Sequence, residues 1–377
     1  MNINVTSEIK PLKKVLLHKP GKELVMTKEK LLSLLYDELP NYKKAQEEHN
    51  QFAKFFTDNG VEVFYLEDLF AEVIKDVDIK KEFLNQFLLE ANISRTDRKV
   101  AYEYYSSIED PARFTLETMA GLTINSRNIV EPLPNLVFTR DHFASIGNGV
   151  SLNKMYSETR RRETIYHEYI FKYHNEFKNI PQYYNRYEKY NIEGGDVMNL
   201  NEETLIIGSS QRTQTHAVDI LASTIFKTND KIKKIYAVDI PHNRAYMHLD
   251  TVLTQIDVDK FVAFPGILGE LECYVITRDS FNSETLTIKQ ILEKELNREV
   301  TIIKCGGDDP EAQKREQWND GANLLCIKPG LVIGYKFNTI TNNLIKETGV
   351  TILELDGPEL SKGRGGARCM SMPLERE

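Results

Sequence analysis

Apolar and polar positions along the chain follow two alternating periods. Apolar runs of strand length occupy 14–17, 61–66, 136–139, 204–208, 234–238, 300–304, 323–327, 331–335 and 350–355. Stretches with helical spacing lie between several of them: 41–58, stopped by Asn59-Gly60, then 161–177, 213–226, 287–296, and 342–348, stopped by Gly349. Strand–helix–strand order of this kind predicts an α/β fold. His248-Leu249-Asp250 is expected to open a strand running towards Ile256, with 260–264 as its hairpin partner. The texture changes over 67–126, where Leu69, Val73, Ile74, Phe83, Phe87 and Leu88 recur at helical spacings and no glycine occurs before Gly121. That stretch reads as an all-helical insertion. The expected division is a main α/β domain over 1–66 and 127–377, with an inserted helical subdomain over 67–126.

Composition is that of a globular protein: 377 residues, 41% apolar and 28% charged. With 48 basic and 56 acidic residues the net charge is −8, which argues against a general nucleic-acid binder. The N-terminal stretch has no apolar leader segment, and no 18-residue apolar span exists, so no membrane association is expected. Cys273, Cys305, Cys326 and Cys369 show no CxxC spacing. The expectation is a cytoplasmic protein with reduced thiols and no metal site.

Four polar clusters could carry chemistry. Phe138-Thr139-Arg140-Asp141 puts a charged pair at the end of an apolar run; it serves equally as a strand-end turn. Glu193-Gly194-Gly195-Asp196 sets two glycines between two acids, at an entropic cost tolerable where the acids must approach something; an acidic turn is the plainer reading. In a strand His248 and Asp250 would share one face, where a histidine could transfer protons; a structural pair would look the same. Cys369 follows a loop in which Gly363, Gly365 and Gly366 permit φ > 0, while Arg364 and Arg368 would favour a thiolate; a mobile basic tail is the alternative. Asp141 and Glu193 are 52 positions apart, Glu193 and His248 55, and Asp250 and Cys369 119, about twice that interval. A ring of similar modules, each aiming one polar turn at a common axis, would produce such spacing.

Taken together, these motifs resemble the bacterial-type arginine deiminase family of the guanidine-modifying superfamily. The resemblance rests on 135–141 (NLVFTRD), 160–164 (RRRET), 192–197 (IEGGDV), 248–251 (HLDT) and 363–373 (GRGGARCMSMP), in the family's order, and extends to 7–9 and 13–23. His142 and Ala367 stand where the family often has proline. The resemblance implies a five-bladed pseudo-symmetric α/β propeller with a helical insertion in the N-terminal half. It implies hydrolysis of L-arginine to L-citrulline and ammonia without a cofactor, as the first step of arginine fermentation, in a homo-oligomer of two or four copies. By the same resemblance Cys369 is the nucleophile, His248 the acid and base, Glu193 its partner, and Asp141 and Asp250 grip the guanidinium. Arg160 and Arg212 then meet the substrate carboxylate, Asn135 contacts the substrate through its amide, Phe138 packs on the aliphatic stem, and Arg364 closes the site. An amidinotransferase, a dimethylarginine hydrolase or a silent arginine-binding protein would share much of this core. A papain-like protease would place its cysteine before its histidine, the reverse of the order here.

Overall fold

The computed structural model describes residues 3–377; Met1 and Asn2, the first positions of the expected main domain, lie outside them. Five sheets repeat one pattern: an antiparallel pair followed by a parallel third strand. The first sheet joins Met372–Arg376, Leu12–Leu17 and Glu62–Tyr65. The second joins Phe143–Ile146, Gly149–Leu152 and Gln182–Tyr184. The third joins Val197–Asn199, Thr204–Ser209 and Lys234–Asp239, widened by Glu270–Thr277 and Phe281–Thr287. The fourth joins Leu253–Gln255, Lys260–Ala263 and Thr301–Lys304, and the fifth Leu325–Lys328, Leu331–Tyr335 and Thr351–Leu355.

Parallel neighbours need a crossover, and helices supply it. They are Tyr42–Asp58, Ile165–Tyr173, Thr215–Thr228, Ile288–Leu296 and Thr339–Glu347. The first shows why such helices form. The Asn41 side chain accepts from the Lys44 N–H and caps the start, while Ala45, His49, Phe52, Ala53 and Phe56 bury one face at helical spacing. Phe52 and Phe56 are completely buried against Val15, Tyr335 and Leu355, which ties the first sheet to the fifth. Burial of each ring is worth about 1.5–3 kcal/mol.

The 67–126 stretch holds the helices Val77–Glu90, Arg95–Ser106 and Pro111–Ala120, and nearly all of Leu66–Val73, which starts one residue before it. Their Phe83, Phe87, Tyr105 and Phe114 share a core with Tyr166 and Tyr169. It does not stay helical to its end. Leu122–Ile124 and Arg127–Val130 form a hairpin, with Asn125 and Ser126 both at positive φ (49° and 61°) as a tight two-residue turn needs.

Two other expectations fail locally. The 136–139 run is not a strand: Pro134–Val137 is a 3-10 turn and Thr139–His142 one helical turn. Pro134 fixes the first position of that turn and leaves no N–H for a ladder. His248-Leu249-Asp250 does not open a strand either; Leu249–Thr251 is a 3-10 turn, and the strand begins at Leu253.

Candidate active site

Each sheet is entered through a polar turn. Asp141 precedes the strand at Phe143, Glu193 the one at Val197, His248 and Asp250 the one at Leu253, Asn323 the one at Leu325, and Cys369 the one at Met372. These turns converge. A cavity of about 230 Å³ is lined by Asn135, Phe138, Asp141, Arg160, Arg212, His248, Arg364 and Cys369 among others. That is below the roughly 300–1,000 Å³ of sites for drug-sized ligands and suits a smaller molecule. Asp250 and Glu193 stand just behind the wall, both completely buried.

His248 Nε2 lies 2.7 Å from Glu193 Oε2, and its Nδ1 is 3.7 Å from Asp141 Oδ1. Burial works against a charged imidazole, yet Asp141, Glu193 and Asp196 outweigh it and lift His248 from 6.5 to about 9. Burial also opposes charge on Glu193, but Arg212, His248 and Arg160 hold its carboxyl well below the usual carboxylate range. The ring is therefore an imidazolium at neutral pH. Asp196 fixes this turn by accepting from the Leu249 N–H (2.8 Å) and the Ser210 hydroxyl (2.7 Å).

The Cys369 sulfur lies 3.8 and 4.0 Å from the two Asp250 oxygens. Burial pushes the thiol well above its usual value, and Asp250, Asp141 and Asp320 push the same way. Arg368 does not provide the positive charge expected beside the sulfur. Its guanidinium is turned to Asp250 Oδ2 (2.8 Å), Glu8 (3.1 Å) and the Val197 carbonyl (2.9 Å). Burial and the nearby carboxylates all favour the thiol form of Cys369, and a cation brought into the cavity would offset the carboxylates that oppose its ionisation. Cys273, Cys305 and Cys326 are pushed up to about 12 by burial. Cys369 is distinguished by the cavity it lines.

The glycines act by close approach. Gly363, Gly365 and Gly366 are not at positive φ; Arg364 is, at 63°. A Cβ on Gly363 would sit 2.8 Å from the Phe138 and Tyr36 rings, and one on Gly365 2.4 Å from Phe138. Likewise a Cβ on Gly194 would meet the Arg140 carbonyl at 2.1 Å, and one on Gly195 would meet His248 Nδ1 at 2.7 Å. Arg364 Cζ is 3.4 Å from the centre of the Trp318 ring, which holds the loop arginine over the cavity.

Among the described residues, several buried polar atoms around the cavity make no hydrogen bond: Asp141 Oδ1, His248 Nδ1, Arg212 Nε, and Nε and Nη1 of Arg364. Carboxylate, imidazole and guanidinium are all unsatisfied at once, as a small zwitterionic or cationic ligand would require. Arg212 Nη1 is 3.4 Å from Glu193. Asn135 turns its Nδ2 to the Leu34 carbonyl at 3.0 Å. Arg160 donates to Asp141 Oδ2 (2.7 Å), Glu163 Oε2 (2.9 Å) and the Asn135 carbonyl (3.3 Å).

Asp141, Glu193 and His248 place ligand atoms within 4.8 Å of one another, close enough to hold a cation. Arg160 and Arg212 already compensate the two carboxylates, so a metal ion would enter beside two fixed positive charges. Sequence reasoning missed Asn323. Its Oδ1 accepts from the Cys369 N–H (3.0 Å) and its Nδ2 donates to the Asp250 carbonyl (2.9 Å). It sits in the long interval between Asp250 and Cys369, where the doubled spacing pointed to a further module. Glu8 and Glu163 were missed because each acts on an arginine rather than on the cavity.

A family model described as arginine deiminase matches residues 32–376. The chain is 49% identical to an arginine deiminase of Treponema denticola and 44% identical to one of Clostridium perfringens, each over 100% of this chain and 98% of the relative. Among solved structures, an amidinotransferase of Microseira wollei from saxitoxin biosynthesis aligns over 100% of this chain and 97% of its own, with a TM-score of 0.60 and 14% identity. A dimethylarginine hydrolase of Pseudomonas aeruginosa complexed with citrulline aligns over 96% and 99%, with a TM-score of 0.56 and 17% identity. These structural likenesses show a shared α/β fold with mixed sheets. The match to the family model and the full-length identity go further: the chain belongs to the arginine deiminase family.

Proposed function

We propose that the chain performs its family's reaction, hydrolysis of L-arginine to L-citrulline and ammonia, on Cys369. The observation that carries this reading is the meeting of a cysteine, an imidazolium and carboxylates at one small buried cavity. A guanidinium presents five donors in a fixed fork, and on this reading Asp141 and Asp250 receive it, Asp250 through Oδ1 because Arg368 holds its Oδ2. The guanidinium charge offsets the carboxylates that keep the thiol protonated, so as it binds the thiol releases its proton to solvent and Cys369 becomes a thiolate. Sγ then attacks the guanidinium carbon. The S–C bond forms, one terminal C–N bond breaks, and the leaving nitrogen takes the His248 proton. Neutral His248 next removes a proton from water, whose oxygen attacks the same carbon. The C–S bond breaks, and citrulline leaves. Glu193 keeps the imidazole charged for the first step. Arg160 and Arg212 meet the substrate carboxylate, Asn135 contacts the substrate through its amide, Phe138 covers the aliphatic stem and Arg364 closes the mouth.

The same reading takes the five sheets as blades of one ring, with the sites on its axis. The shared pairing pattern supports this, as does the pairing of the last strand with Leu12–Leu17, which joins the chain's two ends. It takes 67–126 as an inserted subdomain within a catalytic domain of 1–66 and 127–377. It also places a homo-oligomer of two or four copies, tested by light scattering, in the cytoplasm. Four unpaired buried cysteines suit a reducing compartment, and among the described residues no helix is long and apolar enough to cross a membrane. The decisive assay is citrulline formation from free arginine by the purified protein, with agmatine and dimethylarginine beside it. Turnover of dimethylarginine in preference to arginine would overturn the reading.

A further inference from the structure

Arg160 is assigned above to the substrate's carboxylate, yet its guanidinium lies at the other end of the site. Nη1 is 2.7 Å from Asp141 Oδ2 and 3.9 Å from Glu193 Oε2, and the side chain is 4% exposed. A bidentate grip on an incoming guanidinium needs both Asp141 oxygens. Oδ1 accepts no hydrogen bond and faces only His248 Nδ1 at 3.7 Å, while Oδ2 is taken by Arg160. Two guanidinium cations cannot share that carboxylate in a buried cavity without strong repulsion. A full two-oxygen grip by Asp141 therefore requires Arg160 to move off it.

We propose that Arg160 is a resident competitor for the guanidinium position, and that the substrate's α-carboxylate is what draws it off Asp141. This rests on the reading that Asp141 grips the guanidinium and that Arg160 meets the carboxylate. Carboxylate recognition and guanidinium docking then become one event. A substrate with both groups supplies Arg160 with a new counter-charge as it vacates the old one. An amine such as agmatine offers nothing in exchange, so Asp141 stays occupied. Glu163 is the positioning residue. Its Oε2 holds Arg160 Nε at 2.9 Å and lies 2.9 Å from His142 Nε2, and both residues are completely buried. That contact anchors Arg160 through Nε, a different atom from the Nη1 that reaches Asp141. Burial pushes Glu163 up to about 7 and His142 down to about 3, so the histidine adds no second charge.

The test compares Arg160→Gln with wild type on arginine and agmatine. The affinity of a site blocked by a resident group falls in proportion to the fraction left unblocked, so a site about nine-tenths blocked binds about tenfold more weakly. The variant is expected to lose roughly tenfold or more in kcat/KM on arginine and to gain roughly tenfold on agmatine. A loss on arginine with agmatine unchanged or reduced overturns the competitor role while leaving carboxylate reading intact. No loss on arginine overturns the carboxylate reading itself. A second measurement needs no variant: protection of Cys369 from iodoacetamide by guanidinium ion, with and without acetate at constant ionic strength. Acetate is expected to tighten guanidinium protection several-fold, because the two fragments together move Arg160. Protection that is indifferent to acetate overturns the proposal.

Discussion

Replacing Glu193 by Gln tests how the site keeps the His248 ring charged. In the folded chain His248 stands at about 9 against 6.5 for a free imidazole, even though burial opposes the charge. That displacement is worth about 3 kcal/mol in favour of the protonated ring, at about 1.4 kcal/mol per pH unit. The 2.7 Å hydrogen bond to Glu193 is one of its main supports. A charge-assisted bond of this kind contributes about 1.5–3 kcal/mol. Its loss is expected to bring His248 down by about one to two pH units, to about 7–8. Nuclear magnetic resonance of the His248 ring reads this directly, and the alkaline limb of kcat/KM should follow it. Stability supplies a second readout. Because the folded value of His248 lies above the unfolded one, its pairing stabilises the chain fully below about pH 6.5 and is lost as pH rises through about 9. Glu193 is displaced the other way, so its contribution is present above about 4.5 and is lost on acidification. The melting-temperature gap between wild type and Glu193→Gln is therefore widest between about pH 4.5 and 6.5. An unchanged His248 titration, or a gap independent of pH, would refute the reasoning.

Arg212→Ala is expected to reduce kcat/KM on arginine by about a hundredfold or more, as loss of a buried charged partner does, and to affect agmatine much less. Equal losses on both substrates would make Arg212 a support for Glu193 alone. Gly195→Ala puts a Cβ 2.7 Å from His248 Nδ1, so citrulline formation should collapse while the folded far-ultraviolet circular dichroism persists. Near-normal turnover would contradict the packing described. Chelation by EDTA should leave the rate unchanged, because Arg160 and Arg212 already neutralise the only compact carboxylate–histidine group among the described residues. A loss restored by zinc or manganese would contradict the cysteine mechanism.

Much of the architecture is legible from periodicity because the crossover helices bury one face each. The 41–58 stretch carries Ala45, Phe52 and Phe56 at helical intervals and a stop at Asn59-Gly60, and Tyr42–Asp58 is the result. The long hairpin of Glu270–Thr277 and Phe281–Thr287 went unread. Its first strand carries a short apolar run, Cys273-Tyr274-Val275-Ile276, but its second, Phe281–Thr287, is mostly polar and exposed, so no matching pair of apolar runs marks a hairpin. His248 and Asp250 read as sharing one strand face, but a 3-10 turn pinned by Asp196 carries them, with His248 lining the cavity and Asp250 behind its wall against Cys369 and Arg368. The glycine loop shows the same difference. Its composition marks a close passage, yet which ring passes close, Phe138, depends on a contact far away in sequence. Pairings such as Arg368 with Glu8 and Asn323 with Cys369 join distant turns and leave no local pattern to read.

The central claim is that Cys369 forms a covalent intermediate with the guanidinium carbon of arginine. Rapid acid quench of the protein with excess arginine, followed by peptide mapping by mass spectrometry, tests it directly. The account predicts a transient adduct on the peptide containing Cys369, with the mass of arginine less ammonia, absent from Cys369→Ser. Citrulline released with no adduct at any quench time, or an adduct on Cys273, Cys305 or Cys326, would contradict it.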